Sequence, residues 1–271
     1  MKLESPNPLV IFMHLPKTAG STLSRIMGRQ YPAAGVLRLY DSGSGVELGS
    51  LSKDRLEALR VVVGHFCFGA HQFVSRPCAY VTVLREPVDR VISHYYFVRS
   101  EPTHYLFEAA QQLSLGEYVR HCNLAEPNND QTRLLCGEYE GSIPASCDQA
   151  MLELAQRHLR DHFVGVGLTE EFDRTLVLMK RILGWGYPFY VRQNVGRQRP
   201  PREALDRDTL RVIQEYNQLD GELYQYGQAL FREQVQHQGP KLEAELQLFA
   251  LLNPVVGRLG ALASRALRSG P

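Results

Sequence analysis

The sequence predicts a three-layer α/β fold, a central parallel sheet flanked by helices. Two observations carry this. Apolar runs of strand length recur at Leu9–Met13, Val61–Val63, Ala79–Val83 and Phe163–Leu168. The runs at Leu9 and Val61 are uninterrupted, as in strands covered on both faces. Between the runs lie segments with apolar residues at helical spacing, and strands alternating with helices imply one parallel sheet.

The first run leads into His14-Leu15-Pro16-Lys17-Thr18-Ala19-Gly20-Ser21-Thr22. Gly20 permits a tight turn, and Ser21 or Thr22 is expected to cap the next helix. Leu23, Ile26 and Met27 mark that helix. Its N-terminus offers free backbone N–H groups and a positive dipole end, a seat for phosphate or sulfate. Lys17, Thr18, Ser21 and Thr22 add a charge and hydroxyls. The loop is not a Walker A motif, which needs its Lys after the second glycine. Here Lys17 precedes Gly20, and no glycine stands before it.

Residues 35–58 are glycine- and serine-rich at first (Gly43, Gly45, Gly49) and then helical. Val61–Val63 is read as the second strand. It ends in Gly64-His65 and delivers His65 to the sheet edge where Lys17 stands. The next run leads into Leu84-Arg85-Glu86-Pro87-Val88-Asp89-Arg90-Val91-Ile92-Ser93. Arg85 then sits at a carboxyl edge, where α/β folds place ligands. Pro87 suits a first helical position. Val88, Val91, Ile92 and Tyr95 form a buried stripe. Arg90 and Ser93 are three apart and share another face, unless Arg90 pairs at the surface with Glu86.

Residues 100–143 are expected to build the acceptor side. Ser146 to Gln149 reads as a capping box for a helix through Leu159, followed by a strand at Phe163–Leu168. Phe172, Leu176, Met179 and Leu183 stripe the next helix. Tyr190 to Pro201 is basic, contains Gly196 and ends in two prolines, so it is a loop. Leu210, Ile213, Leu219, Leu223 and Leu230 mark one long helix. A domain over 1–235 and a helical tail over 236–271 follow. In the tail, Leu242, Leu246, Phe249 and Leu252 share one face, with Arg258, Arg265 and Arg268 further on. Such a helix packs on its own domain, or meets a membrane surface or a partner.

The two loop segments together resemble the sulfotransferases that use 3'-phosphoadenylyl sulfate. The likeness is to the branch of the heparan sulfate 2-O- and 6-O-sulfotransferases and their bacterial relatives. The motifs are H-x-P-K-T-x-G-[ST]-[ST] at His14–Thr22 and L-R-[DE]-P-x-x-R-x-x-S at Leu84–Ser93, without gaps and in the family's order. Phe163–Glu170 and Asn217–Tyr224 are similar too, so the likeness covers roughly residues 8 to 232. It implies a P-loop-like fold and an O-sulfotransferase whose acceptor is a carbohydrate hydroxyl. It implies that Pro16, Lys17, Thr18, Ala19, Gly20, Ser21 and Thr22 hold the 5'-phosphosulfate. Arg85 and Ser93 then hold the 3'-phosphate, with Asn194, Gly196, Arg197 and Arg199 near the nucleotide. Gln131 and Arg133 fall in a region near the acceptor, where they hold sugar hydroxyls or an acidic group, or are helix-surface residues.

His65 is the expected base, because a neutral imidazole within reach of a sugar hydroxyl can take its proton. His71, six residues on, is the weaker candidate. Lys17 stabilises the departing oxygen. No metal is expected: the sulfuryl group carries less charge than a γ-phosphate, and no Asp/Glu metal site is evident.

At 271 residues, 44% of them hydrophobic, the chain can bury a sizeable core. The formal net charge of +1 excludes bulk polyanion affinity, and no nucleic-acid partner is expected. Cys67, Cys78, Cys122, Cys136 and Cys147 are odd in number and lack C-x-x-C spacing, against a disulfide framework or a structural zinc site. No stretch has the length and apolarity of a signal region or transmembrane helix, so a cytoplasmic, bacterial protein is expected. Two other functions stay open: a nucleotide-dependent phosphotransferase on a related fold, and a nucleotide-binding module without turnover.

Overall fold

The computed structural model describes residues 8–40, 46–121, 126–137, 146–191 and 199–268, with the backbone alone at 46, 121 and 258–268. The chain begins with β1 (Leu9–Met13), α1 (Gly20–Gln30), β2 (Val36–Leu39), α2 (Val46–Gly49), α3 (Lys53–Ala58) and β3 (Val61–Gly64). Next come β4 (Cys78–Leu84), α4 (Pro87–Val98), α5 (Phe107–Gln112), α6 (Leu115–His121), α7 (Asp130–Cys136) and α8 (Gln149–His162). It closes with β5 (Phe163–Leu168), α9 (Phe172–Leu183), α10 (Arg207–Tyr216), α11 (Gln218–Gln238) and α12 (Pro240–Arg268).

The strands form one five-stranded sheet in the order β2-β3-β1-β4-β5, and every pairing is parallel. β1 and β3 are buried along their whole length, which explains their unbroken apolar sequence. Because all strands run one way, their carboxyl ends share one edge. Tyr40, His65, His14, Arg85 and Thr169 stand there, in sheet order, just past β2, β3, β1, β4 and β5. A smaller core joins α4, α5, α6 and α10 through Val91, Tyr95, Leu106, Tyr118 and Ile213 beside that edge.

Several local expectations are corrected. β2 precedes Val61–Gly64, which is therefore the third strand. β2 is four residues long, lies at the sheet border and carries a half-exposed interior, Leu37-Arg38, so no apolar run announces it. α8 is capped by Asp148, whose carboxylate accepts from the Met151 N–H at 3.0 Å; Ser146 stands outside the helix. The long late helix is two helices. Asn217 separates them, because its side chain donates to the Ile213 and Pro127 carbonyls and accepts from the Asn129 N–H. The expected boundary after residue 235 falls inside α11. α12 starts on the domain: Leu242 and Phe249 are fully buried, and Glu245 bridges Lys180 and Arg181 at 2.8 and 2.7 Å.

Candidate active site

The first loop leaves β1 at His14, whose N–H bonds the Gly64 carbonyl at 2.9 Å. Two of its residues are left-handed without being glycine: Lys17 at φ 68° and Ala19 at φ 64°. Such backbone is costly and persists only where the surroundings impose it. Thr18 is one such constraint: it is fully buried, and its hydroxyl donates to the Leu15 carbonyl at 2.8 Å. Gly20 is another, since a Cβ there would run into the His14 ring.

The expected hydroxyl cap of α1 is absent. Ala19 is the N-cap, with no side-chain cap, and Ser21 and Thr22 lie inside the first turn. The Ala19 carbonyl takes the Thr22 and Leu23 N–H groups. An uncapped helix start with hydroxyls in its first turn suits an external anion better than a capped one.

His65 follows β3, and its Nδ1 lies 2.7 Å from the His14 carbonyl. A carbonyl only accepts, so Nδ1 carries the proton and Nε2 is left as the basic nitrogen. The His65 ring stands 4.3 Å from that of His14 and 5.0 Å from that of Tyr40. Tyr40 Oη is 3.2 Å from His14 Nδ1. Burial pushes the His65 pKa below its usual 6.5; the His14 carbonyl opposes this, and Lys17 adds to it. His14 is lowered further, to about 3, by burial and by His65, so it is neutral. His71 lies elsewhere, bonded to the Tyr80 hydroxyl and stacked on His162.

Arg85 reaches across the sheet edge to the first loop, donating from Nη1 to the Lys17 carbonyl at 2.9 Å. Its buried Nε has no hydrogen-bond partner among the described residues. Burial and then Arg85 lower the Lys17 pKa to about 8. Burial lowers Arg85 as well, with Arg199 adding to it. Cations that weaken one another, one with a dry and unanswered donor, make a place suited to an anion. Lys17 Nζ rests 3.8 Å from the centroid of the Phe97 ring.

A buried polar scaffold holds the second loop. Gln131 and Arg85 exchange two bonds, Arg85 N–H to Gln131 Oε1 at 3.0 Å and Gln131 Nε2 to the Arg85 carbonyl at 2.9 Å. Arg90 is fully buried, 3.0 Å from Asp130 and 3.9 Å from Asp220, and donates to the Glu126 carbonyl. It is neither on the surface nor paired with Glu86, which caps α4 through the Asp89 N–H. Asp220 also accepts from the Gln131 and Thr132 N–H groups and the Thr132 hydroxyl. Glu170 accepts from the Glu86 N–H at 3.0 Å and the Tyr224 hydroxyl at 2.7 Å.

The expected residues therefore separate. Lys17, Ser21, Thr22, His65 and Arg85 are brought to one edge. Ser93 is half-buried on α4, and Arg199 lies 2.6 Å from Asp89 at the start of that helix. Asn194, Gly196 and Arg197 lie outside the described residues. The acceptor-side expectation for Gln131 is corrected. It is 1% exposed, with its amide spent on the Arg85 backbone, so it supports the loop from behind. Arg133 is 4% exposed and donates to the Asn128 carbonyl. Residues that sequence reasoning passed over are Tyr40, Phe97, Glu126 and Asp220. Asp220 had a signal, since it lies within the Asn217–Tyr224 similarity. Tyr40 had none, because its strand was not seen.

Among the described residues one group has metal-ligand types together: His94, His104 and Glu126, with ligand atoms within 4.8 Å of one another. His104 Nδ1 accepts the Leu106 N–H, so a neutral His104 carries its proton on Nε2 and offers it as a donor. His94 Nε2 is 3.2 Å from Glu126. The group reads as a carboxylate set among donors. Burial alone would raise Glu126, but His94, with Tyr105 and His104, outweighs it and holds the carboxyl below its usual range.

The family model for galactose-3-O-sulfotransferase matches residues 2–250, and the chain belongs to that family. Among curated relatives, it is 31% identical to heparan-sulfate 6-O-sulfotransferase 1 of Mus musculus over 186 residues, 58% of this chain and 44% of that protein. The Homo sapiens protein of that name is 30% identical, over 58% and 44%. The uronyl 2-sulfotransferase homolog pip of Drosophila melanogaster is 23% identical over 208 residues, 63% of this chain and 40% of that one. The chain thus spans less than half the length of these relatives. A mouse sulfotransferase, SULT7A1, solved with PAP, superposes with a TM-score of 0.36 at 14% identity over 70% of this chain and 62% of that one, too loosely to carry an argument.

Proposed function

We propose that this chain is an O-sulfotransferase that moves a sulfuryl group from 3'-phosphoadenylyl sulfate to a carbohydrate hydroxyl. The observation that carries the reading is the juxtaposition at one sheet edge. Arg85, under-partnered, meets Lys17 in the loop that leads into an uncapped helix start, with His65 beside them holding its basic nitrogen free of the His14 carbonyl. Family membership supports the reaction class, and the relatives' names support a sugar acceptor.

The donor brings a sulfuryl group on a phosphate that leaves well. Residues of this chain do the rest. His65 Nε2 takes the proton of the acceptor hydroxyl as its oxygen bonds sulfur. The sulfur–oxygen bond to the phosphate breaks in the same displacement, and its electron pair stays on the phosphate oxygen. The Lys17 ammonium stabilises that developing charge. Arg85 takes the 3'-phosphate, with Ser93 on α4 and with Arg199, whose charge is felt by Arg85. A cytoplasmic location is part of the proposal; the animal relatives give it no support, and cell fractionation tests it.

The test has two arms. Labelled sulfate is followed from 3'-phosphoadenylyl sulfate onto a panel of glycans, lipids and phenols, with transfer to glycans expected. In a thermal-shift series, adenosine 3',5'-bisphosphate should stabilise the protein far more than AMP or ATP. Equal stabilisation by AMP would remove the role given to Arg85 and Ser93. Transfer of phosphate from ATP would favour a phosphotransferase.

A further inference from the structure

We propose that the distal half of α12 is a membrane-docking face for anionic lipid. This goes beyond the catalytic reading and does not depend on it. Among the described residues nine large apolar side chains are exposed, and five of them share one side of this helix. Leu248, Leu251, Leu252, Val255 and Val256 are between 38% and 72% exposed. At about 100° per residue the five helix positions fall within an arc of about 140°. Positions 259 and 262, both leucine, continue the same arc.

The helix divides along its length. The first turns are anchored: Leu242 and Phe249 are fully buried, Phe249 stacks on Phe189 at 5.7 Å, and Glu243 and Glu245 pair with α9. Asn253 holds the stem of the late loop through the Tyr190 N–H at 2.8 Å. Those bonds fix which way the helix faces and leave its other side uncovered. An apolar patch of this kind marks an interaction surface.

Charge identifies the occupant. Glu245 is the last acidic residue of the sequence, and Arg258, Arg265 and Arg268 follow it. Their positions fall outside the apolar arc, so the helix has an aliphatic side bounded by a side with only positive charge. That is the pattern of a helix lying in a lipid interface, with aliphatic side chains among the acyl chains and arginines at anionic headgroups. A protein interface core would favour aromatic residues and methionine, which this face lacks. No helix among the described residues is long and apolar enough to cross a membrane, so the contact is to one surface.

The experiment is flotation of the full chain with vesicles of phosphatidylcholine, alone or with about one-third phosphatidylglycerol. Binding to the anionic vesicles should exceed binding to the neutral ones by about tenfold or more, and fall between about 0.1 and 0.5 M salt. The double variant Leu251→Asp/Val255→Asp should lose binding with its helix content and sulfotransferase rate on a soluble acceptor unchanged. Both residues are exposed, so the fold tolerates the change. Arg258→Glu/Arg265→Glu should lose the preference for anionic vesicles. Absence of binding to phosphatidylglycerol vesicles overturns the proposal, as does undiminished binding by the Leu251/Val255 variant. A dimer in light scattering that this variant dissolves, without vesicle binding, overturns it in favour of a second copy of the chain.

Discussion

The two anion loops leave the same sheet edge yet are built in opposite ways. The first, Leu15 to Thr22, has two left-handed non-glycine residues, an uncapped helix start and few side-chain bonds of its own. The second, Arg85 to Asp89, is held from behind by Gln131, Glu170, Asp220 and the buried Arg90. The first loop stores its strain where a ligand would meet it. The second is over-determined by a network in which Gln131, Asp220 and Arg90 are buried. Damage to the first should therefore cost function and spare the fold, and damage to the buried network behind the second should cost the fold.

Asp220→Ala tests that contrast with the largest effect. It strips Arg90 of a buried countercharge and leaves the Gln131 and Thr132 donors unpaired. Losing one partner of a buried ion network costs about 3–5 kcal/mol. Denaturant unfolding should show a loss of that order, and a midpoint within error of wild type would mean that the network is not what holds the second loop. Next is His65→Ala. Its kcat should fall by roughly 10²–10⁴ while nucleotide affinity and melting temperature hold. Lys17→Ala should lower affinity and kcat together, because the same ammonium meets ground state and transition state. An unchanged kcat in His65→Ala would move the search for the base away from the first loop's side of the edge.

The first loop was the legible part of the site. Its backbone demands leave a sequence trace: a strand, then Pro16, Lys17 and Gly20, then a helical stripe. His65 was legible because Gly64 ends an apolar run. A Cβ at Gly64 would strike the Leu39 carbonyl. The scaffold of the second loop was not legible in the same way. Arg90, Asp130, Gln131 and Asp220 are polar residues at helical positions, and such residues ordinarily face water. Only their long-range pairing, across 40 to 91 positions of chain, buries them. Short-range periodicity carries no information about partners that distant. β2 escaped for a different reason: four residues at a border, with an interior arginine, lack the apolar run that marks the other strands.

Acidity sharpens the comparison at smaller scale. His65 must be neutral to act as a base, so the rate rises with pH through its pKa, which burial holds below 6.5. Lys17 must be charged, so kcat/KM for the nucleotide falls above about 8. The profile should be a bell whose plateau covers neutral pH, with the falling limb reporting the free enzyme. Since Arg85 is a cause of the low Lys17 value, Arg85→Gln should move the falling limb upward, whereas Arg85→Lys should leave it in place. A limb that ignores both variants would break the electrostatic link between the two loops.

The smallest effect concerns Tyr40, which neither loop contains. Its hydroxyl lies 3.2 Å from His14 Nδ1, its ring packs 5.0 Å from His65, and it stands at the end of the unannounced border strand. His14 is neutral, its ring packs against Gly20 and His65 and its carbonyl holds His65 Nδ1, so this residue is the wedge that shapes the first loop and orients the base. Tyr40 holds that wedge by one hydrogen bond. Tyr40→Phe keeps the ring and removes the bond, a change of about 1 kcal/mol. Stated as kinetics, kcat should fall by a few-fold and KM for the nucleotide should stay put. The pH of the rising limb should shift slightly, because the setting of the His65 imidazole changes, and a purely structural role would leave that limb alone. A loss of about 10³ in kcat would instead put the Tyr40 hydroxyl among the groups that touch the reacting atoms, at a scale expected of general acid–base residues.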